Sequence, residues 1–290
     1  MEYHQDRFED ASLLIFKNDE VVALLPANKV DNMVYSHQGL TYGGLVVSEK
    51  LKFHTILECF KEVLKYYSEK GFNILQVKTL PAIYSKQPSD DMLYLMHILD
   101  AKLIRRDMLS VLNQSNPIKY SKDRKDGVKR AKKAHLIIKS DDDFDNFWNE
   151  ILIPNLQKKH GVNPVHSLDE IKLLKKRFPK NIMQFNVYDQ QKIIAGTTIF
   201  ITEKVVHSQY ISADETKNKT GSLDFLHDYL LKEVFTEKTY FDFGISNENN
   251  GFKVNSGLQY WKEGFGARAI VQDFYQLPIE NYKRLDAVLI

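Results

Sequence analysis

The chain has 290 residues, of which 43% are apolar and 27% charged, with a formal net charge of +2. That length favours two domains over one and supplies ample apolar material for packed cores. The near-neutral balance excludes a global pull toward nucleic acid or membrane surfaces, so any anion-binding function must come from a local patch.

The opening stretch "MEYHQDRFEDASLLIF" is acidic and polar, with no basic segment leading into an apolar one. No apolar run approaches the roughly 20 residues of a membrane span, so the expected location is the cytoplasm. "SLLIFKNDEVVALLPANKV" reads as two strands around a turn at Lys17 to Glu20, and "DNMVYSHQGLTYGGLVVS" as further strands broken by Gly39, Gly43 and Gly44. "KFHTILECFKEVLKYYSEKG" places Phe53, Ile56, Leu57, Phe60, Val63, Leu64 and Tyr67 at helical spacing, and Gly71 ends the helix at C′. Its Cys59, the single cysteine, rules out an internal disulfide and reads as a buried, inert thiol. "FNILQVKTL" is a buried strand ended by Pro81, and a helix capped by Ser89 or Asp90 follows, then a strand.

The middle of the chain opens with "KYSKDRKDGVKRAKKAHL", eight Lys and Arg against Asp123 and Asp126. After Gly127 the spacing suits a short basic helix, either a solvated surface or a grip on a phosphate-bearing ligand. Two capped helices follow, the second opening with Ser167 and Glu170 in capping-box spacing. The last third repeats the first in outline: strands over "IMQFNVYDQQKIIAGTTIFITEKVVHSQYISADE", a helix over "SLDFLHDYLLKEVF", a strand over "TYFDFGIS". Details echo as well, with "VYSHQG" beside "VVHSQY" and "IFKNDEVVAL" beside "NVYDQQKIIAG". Two copies of one α/β unit are expected, joined by the basic and helical middle. No zinc-ligand spacing or P-loop occurs, and no metal is expected.

Three stretches then stand out together: "KRAKKAHLIIKSDDDFDNFW", "KIIAGTTIFITEKVVHSQYISAD", and "FDFGIS" with "GLQYWKEGFGA". The first resembles the Arg-Ala helix, strand and aromatic-bearing helix that open the second domain of the FemAB-like transferases, a tandem-GNAT family that builds peptidoglycan cross-bridges. The second resembles that domain's central strands. The third resembles its C-terminal signature, an Asp-Phe-Gly strand end followed by an aromatic-Lys-x-x-Phe-Gly element.

At the level of pattern the resemblance covers most of the chain. It implies an α/β (α+β) fold of two tandem GNAT-like domains, each a mixed, mostly antiparallel sheet flanked by helices. An N-terminal domain over 1–117 would serve architecture or acceptor binding, and a catalytic domain would cover 118–290. The implied activity is an acyltransferase moving an acyl group, acetyl first among them, from a CoA thioester to an amine. The acceptor would be a small-molecule or nucleotide-linked amine on a cell-envelope or amino-sugar precursor. Aminoacyl-tRNA is the alternative donor; the short middle segment argues against it and the basic helix keeps it open. A non-catalytic binding module that kept the fold is the third reading.

Acetyl-CoA GNATs seat the pyrophosphate on a Gly-rich turn at the start of the central helix, where backbone N–H groups and the helix dipole receive it. The matching place here is "TKNKTGSLDFL", with Gly221 and Ser222 at the helix start and Lys217 and Lys219 able to supply charge. Gly221-Ser222 reads equally as a plain helix N-cap. The N-terminal counterpart, "VVSEKLKFHTI", has no glycine after the strand break, so the first copy is expected to have lost donor binding.

Acyl transfer to an amine needs a base, donors for the oxyanion and two substrates held together. The resemblance puts Lys262 beside the reacting carbonyl; its plain alternative is a surface ion pair. Strand alternation puts His207 and Gln209 on one face, Ser208 and Tyr210 on the other. His207 is either the base for the amine or a core histidine. Asp242, at a strand's C-terminal end, either orients His207 or the amine, or caps the next loop. Gln209, Tyr210, Glu248, Asn255 and Trp261 complete the candidate substrate contacts, and Glu263 is expected to point elsewhere.

Overall fold

The computed structural model describes residues 5–290; the first four residues of the polar N-terminal stretch lie outside the described residues. In chain order the elements are β1 (Glu9–Asp10), β2 (Leu13–Lys17), β3 (Glu20–Leu25), β4 (Asn28–Val30), β5 (Met33–Tyr35), β6 (Val46–Val47), α1 (Phe53–Glu69), β7 (Ile74–Lys78), α2 (Asp91–Ile98) and β8 (Lys102–Asn113). There follow α3 (Lys122–Lys133), β9 (Ile137–Lys139), α4 (Phe144–Asn146), α5 (Ile153–His160), α6 (Leu168–Arg177), β10 (Ile182–Asp189), β11 (Lys192–Ile201) and β12 (Val205–Ala213). The last are α7 (Lys217–Thr220), α8 (Ser222–Tyr229), β13 (Tyr240–Ile245), β14 (Asn247–Glu248), β15 (Lys253–Val254), α9 (Ser256–Glu263) and β16 (Arg268–Pro278). Internal contacts divide the chain into two units, one of Met1–Asp107, Asn249–Lys253 and Val271–Ile290, the other of Met108–Glu248 and Val254–Ile270.

This division differs from a single cut at 117/118. The end of the chain returns to the first unit because β16 pairs antiparallel with β7, Phe274 opposite Lys78 and Pro278 opposite Ile74. Linear repeat reading cannot see a pairing between segments so far apart in sequence.

In the first unit the strands run β1-β4-β5-β7-β16, with β2-β3-β6 as a smaller sheet. Asn18 and Asp19 make the β2–β3 turn with φ of 50° and 64°, a conformation these side chains tolerate. Helix α1 buries Ile56, Leu57, Cys59, Phe60, Val63, Leu64 and Tyr67, the face its spacing predicts. Each large apolar side chain so buried contributes about 1.5–3 kcal/mol. Gly71 takes φ 84° just past the helix end. Asp90 occupies the N-cap of α2 but makes no side-chain cap bond. Ser89 instead donates to the Ser85 hydroxyl, so neither residue caps as expected.

Strands β5 and β7 lie parallel, with Met33, Val34 and Tyr35 opposite Ile74, Leu75 and Gln76. Beyond that point Ser36 bridges them: its N–H donates to the Gln76 carbonyl at 2.9 Å and its Oγ accepts from the Lys78 N–H at 2.8 Å. Gly43 lies so close that a Cβ would stand 2.0 Å from the Ser36 carbonyl oxygen. The Lys78 ammonium donates to the Leu40 carbonyl. The loop after β5 thus fills the space where the strands would part.

In the second unit the order is β8-β13-β12-β11-β10-β9. β10, β11 and β12 form an antiparallel meander; β12 and β13 are parallel and joined through α8; β13 is antiparallel to β8. The core between sheet and helices includes Phe185, Ile199, Val206, Leu226, Leu230, Phe241, Phe243 and Phe265. The basic helix α3 begins at Lys122, well before Gly127, with Ser121 as N-cap. Gly127 sits inside it for a packing reason: a Cβ there would lie 1.7 Å from Asp224 Oδ2 on α8. The capping box of Ser167 and Glu170 forms as expected. Each unit is a mixed, mostly antiparallel sheet flanked by helices. Among the described residues no helix is long and apolar enough to cross a membrane.

Candidate functional site

The parallel register of β12 and β13 runs Val205–Tyr240, Val206–Phe241 and His207–Asp242, and there it ends. Three features follow from that parting. Asp242 Oδ2 lies 3.0 Å from His207 Nδ1, and Asp242 Oδ1 accepts from the Gly244 N–H at 2.7 Å. Gly244 takes φ 71° where the β13–β8 register slips, a left-handed bulge position that suits glycine. The carbonyls of Gly244 and Ile245, turned out of the ladder, accept from Lys262 Nζ at 2.9 and 2.7 Å. A Cβ on Gly244 would also sit 3.4 Å from His207 Cε1, so glycine lets this turn approach the imidazole.

Lys262 is 2% exposed. Burial lowers its pKa from 10.5 to about 7, only partly opposed by the charge of Asp242. The alternative of a surface ion pair is not seen among the described residues; the ammonium is held by backbone carbonyls instead. Next to it, His227 is fully buried among Phe243, Trp261 and Phe265. Burial drops its pKa to about 4, so it stays neutral and adds no charge beside Lys262. His207, Asp242 and Lys262 therefore meet at one place.

Alternation fails along β12. Ser208 faces Ile199 and Tyr210 faces Thr198, so Gln209 is an extra, bulged residue. One inserted residue reverses the faces beyond it, and His207 shares a face with Tyr210 rather than Gln209. Tyr210 packs edge-on against Trp148, and its hydroxyl lies 2.7 Å from His166 Nδ1. Those contacts hold the half-buried Tyr210 ring against Trp148 and His166.

A cavity of about 810 Å³ opens within the second unit, at the end of β12. Ile211, Leu152, Leu156 and Leu223 give it apolar walls; Arg124, Arg130, Lys159 and Lys217 give it cations. Of the candidates, Lys217, Asn255 and Trp261 line it. Trp261 Nε1 donates to Asp224 Oδ1 at 2.8 Å, and Arg124 Nη1 pairs with the same oxygen at 2.5 Å. Burial holds the Asp224 carboxyl above its ordinary value, with Arg124 and Trp261 opposing the rise. Asn255 caps α9 through Oδ1, and its Nδ2 donates to the exposed Glu248 at 3.3 Å. Glu263 accepts from Gln259, away from Lys262 Nζ.

The other donor-site candidates do not reach the cavity. Gly221, with φ 72°, lies against α3, where a Cβ would stand 2.1 Å from the Gly127 carbonyl oxygen. Ser222 is fully buried and Lys219 is exposed outside the lining. Sequence reading missed Lys159 on α5 and Asp224 on α8, which come from segments distant in sequence to line the same cavity.

No protein-family model matches the sequence, and no curated protein matches it. Solved structures do. FemX is similar at a TM-score of 0.62 and 10% identity, covering 94% of this chain and 88% of that one. L-PGS from Bacillus licheniformis is similar at 0.61 and 15% identity, covering 94% and 88%. A tandem GNAT protein from the clavulanic acid biosynthesis pathway is similar at 0.52 and 10% identity, covering 94% and 85%. With the paired βαβ arrangement of its two units, this likeness shows that the chain has the tandem GNAT-like, FemAB-like fold.

Proposed function

We propose that this protein transfers an acyl group from an activated donor to an amine nitrogen. The observation that carries the reading is the meeting of His207, Asp242 and Lys262 where β12 and β13 part, in the unit that also holds the cavity. Asp242 accepts the Nδ1–H of His207, which fixes the tautomer and directs Nε2 to take the amine's proton. The nitrogen attacks the donor carbonyl, and the ammonium of Lys262 stabilises the oxyanion as the carbon goes tetrahedral. Collapse breaks the bond to the leaving group, and the imidazolium returns its proton to the departing sulfur or oxygen. The group transferred is acetyl or a longer acyl chain on CoA, and the acceptor is an amine on a cell-envelope or amino-sugar precursor. The likeness to FemX and L-PGS supports that setting.

Aminoacyl-tRNA is the second reading for the donor. It is favoured by one observation: Lys122, Lys125, Lys129, Lys132 and Lys133 stand exposed along α3, whose Arg124 and Arg130 line the cavity. Incubation with acetyl-CoA and a panel of amines, following thiol release, tests the first reading; an aminoacylated tRNA with the same amines tests the second. The same assay on His207→Ala must lose the activity seen. Release from neither donor, with wild type and variant alike, sinks the enzyme reading and leaves a binding module.

A further inference from the structure

Helix α9 has eight residues, too few to hold itself in place, so its position comes from what it is tied to. Four consecutive side chains tie it to four elements. Gln259 Oε1 accepts from the Ser110 hydroxyl on β8 at 3.0 Å, and the Tyr260 hydroxyl donates to Asp123 on α3 at 2.7 Å. Trp261 Nε1 donates to Asp224 on α8 at 2.8 Å, and Lys262 Nζ donates to the carbonyls of Gly244 and Ile245. Of the first three ties, only the one to Ser110 is buried at both ends. It also sits where the strand register slips. Between the pairs Asp242–Val111 and Ile245–Leu109, β13 contributes Phe243 and Gly244, and β8 contributes Ser110 alone. Ser110 thus lies across from the bulge whose Gly244 carbonyl takes the Lys262 ammonium. Gln259 and Lys262, three residues apart, share one face of α9, so one helical turn carries both ties to the same stretch of the β8–β13 ladder. The Gln259 amide has one way round: the Glu263 carboxylate only accepts, and takes its Nε2–H at 2.9 Å, which leaves its Oε1 for the Ser110 hydroxyl.

We propose that Gln259 is a positioning residue, whose bridge from Ser110 to Glu263 sets the rotation of α9 and so keeps the Lys262 nitrogen on the carbonyls of Gly244 and Ile245. The proposal rests on the acyl-transfer reading, in which that nitrogen meets the oxyanion. Without the bridge α9 shifts on its remaining ties, water reaches the amine, and the nitrogen leaves the place where the carbonyl carbon goes tetrahedral. The charged and titratable groups around Lys262 are Asp242 on β13 with His207 against it, the neutral His227 on α8, and Glu263 on its own helix. Burial lowers the Lys262 pKa to about 7 and the Asp242 charge opposes that fall, so an amine that gains water titrates higher.

The test uses the full chain and needs no acyl transfer. Trace acetic anhydride labels amines in proportion to their unprotonated fraction. Peptide mass spectrometry from pH 5 to 10 then gives a midpoint for Lys262, with the exposed Lys122 and Lys125 as references. Gln259→Met keeps the side chain's length and removes both bonds of the bridge; Ser110→Ala removes its buried end. Each is expected to raise the Lys262 midpoint by at least about one pH unit, with the two reference lysines unmoved. Because both act through one bond, the double variant should shift no further than Gln259→Met alone. Thiol release should show kcat lowered about 10- to 100-fold with KM little changed. A lower Tm with the Lys262 midpoint and kcat as in wild type overturns the positioning role, and so does a midpoint that moves in Gln259→Met but not in Ser110→Ala. Should Gln259→Met fail to fold, Ser110→Ala decides by the same readings. A wild-type chain without thiol release sinks the enzyme reading, and the midpoints still decide whether Gln259 positions Lys262.

Discussion

Replacing Lys262 with methionine keeps the length of the side chain and removes its nitrogen. Two opposing effects on stability can be sized. The carbonyls of Gly244 and Ile245 lose their donor, at roughly 1–3 kcal/mol each if they stay unpaired. Against that, the fold no longer has to strip a proton from, or bury the charge of, a lysine whose pKa falls from 10.5 to about 7, a cost of about 5 kcal/mol near neutral pH. The two nearly offset, so Lys262→Met should melt within about 5 °C of wild type. Activity should not be spared in the same way: losing a cation aimed at the oxyanion lowers turnover roughly 100- to 1000-fold. The pH dependence separates the roles. Only the protonated amine can stabilise an oxyanion, so wild-type turnover should fall as pH rises through about 7. Stability should move the other way, because between about 7 and 10.5 the unfolded lysine keeps a proton that the folded one has released. Thiol release at saturating donor, measured from pH 5 to 9 beside differential scanning calorimetry, reads both. A wild-type profile with no descending limb, or full turnover in Lys262→Met, refutes the cation role.

Further expectations concern the surroundings. Asp242→Asn removes the charge that holds the His207 tautomer, and turnover should fall at least about 100-fold with substrate affinity little changed, as steady-state kinetics would show. Gly127→Ala drives a Cβ to 1.7 Å from Asp224 Oδ2 and should cost about 1–3 kcal/mol, read as a lower melting temperature. Tyr210→Phe removes the bond to His166 at 2.7 Å and should cost about 1 kcal/mol of stability without loss of turnover; a large fall in turnover would return Tyr210 to the substrate site.

Much of the fold was legible because its signals are local. The apolar spacing of α1, the capping box of α6 and the turn at Asn18-Asp19 each state their geometry in a few residues. The motifs singled out Lys262, His207 and Asp242 as candidates but left a plain alternative open for each; their proximity comes from the strand register. What stayed hidden depends on packing between distant segments. Gly127 looked like a helix start because glycine usually breaks helices; only α8 lying against it explains glycine in mid-helix. The bulge at Gln209 leaves no mark in composition, yet it moves Tyr210 to the other face. Gly221 looked like a phosphate turn, and its left-handed φ serves a close packing of helices instead.

The echo between "VYSHQG" and "VVHSQY" shows how a repeat can be sound in outline and misleading in detail. Strand register makes Tyr35, not His37, the counterpart of His207, since Tyr35 lies opposite Gln76 as His207 lies opposite Asp242. From there the two units diverge by a few residues. In the first, Ser36 bridges to the Lys78 N–H and Gly43 packs on the serine, so the parallel strands are tied by their own loop. In the second, the bulge at Gln209 and the left-handed Gly244 turn both strands away from each other, and the exposed carbonyls need a donor. Lys262 supplies it, at the cost of burying an amine with a depressed pKa. A structural need, a donor for two backbone carbonyls, thus places a titratable nitrogen beside His207 and Asp242.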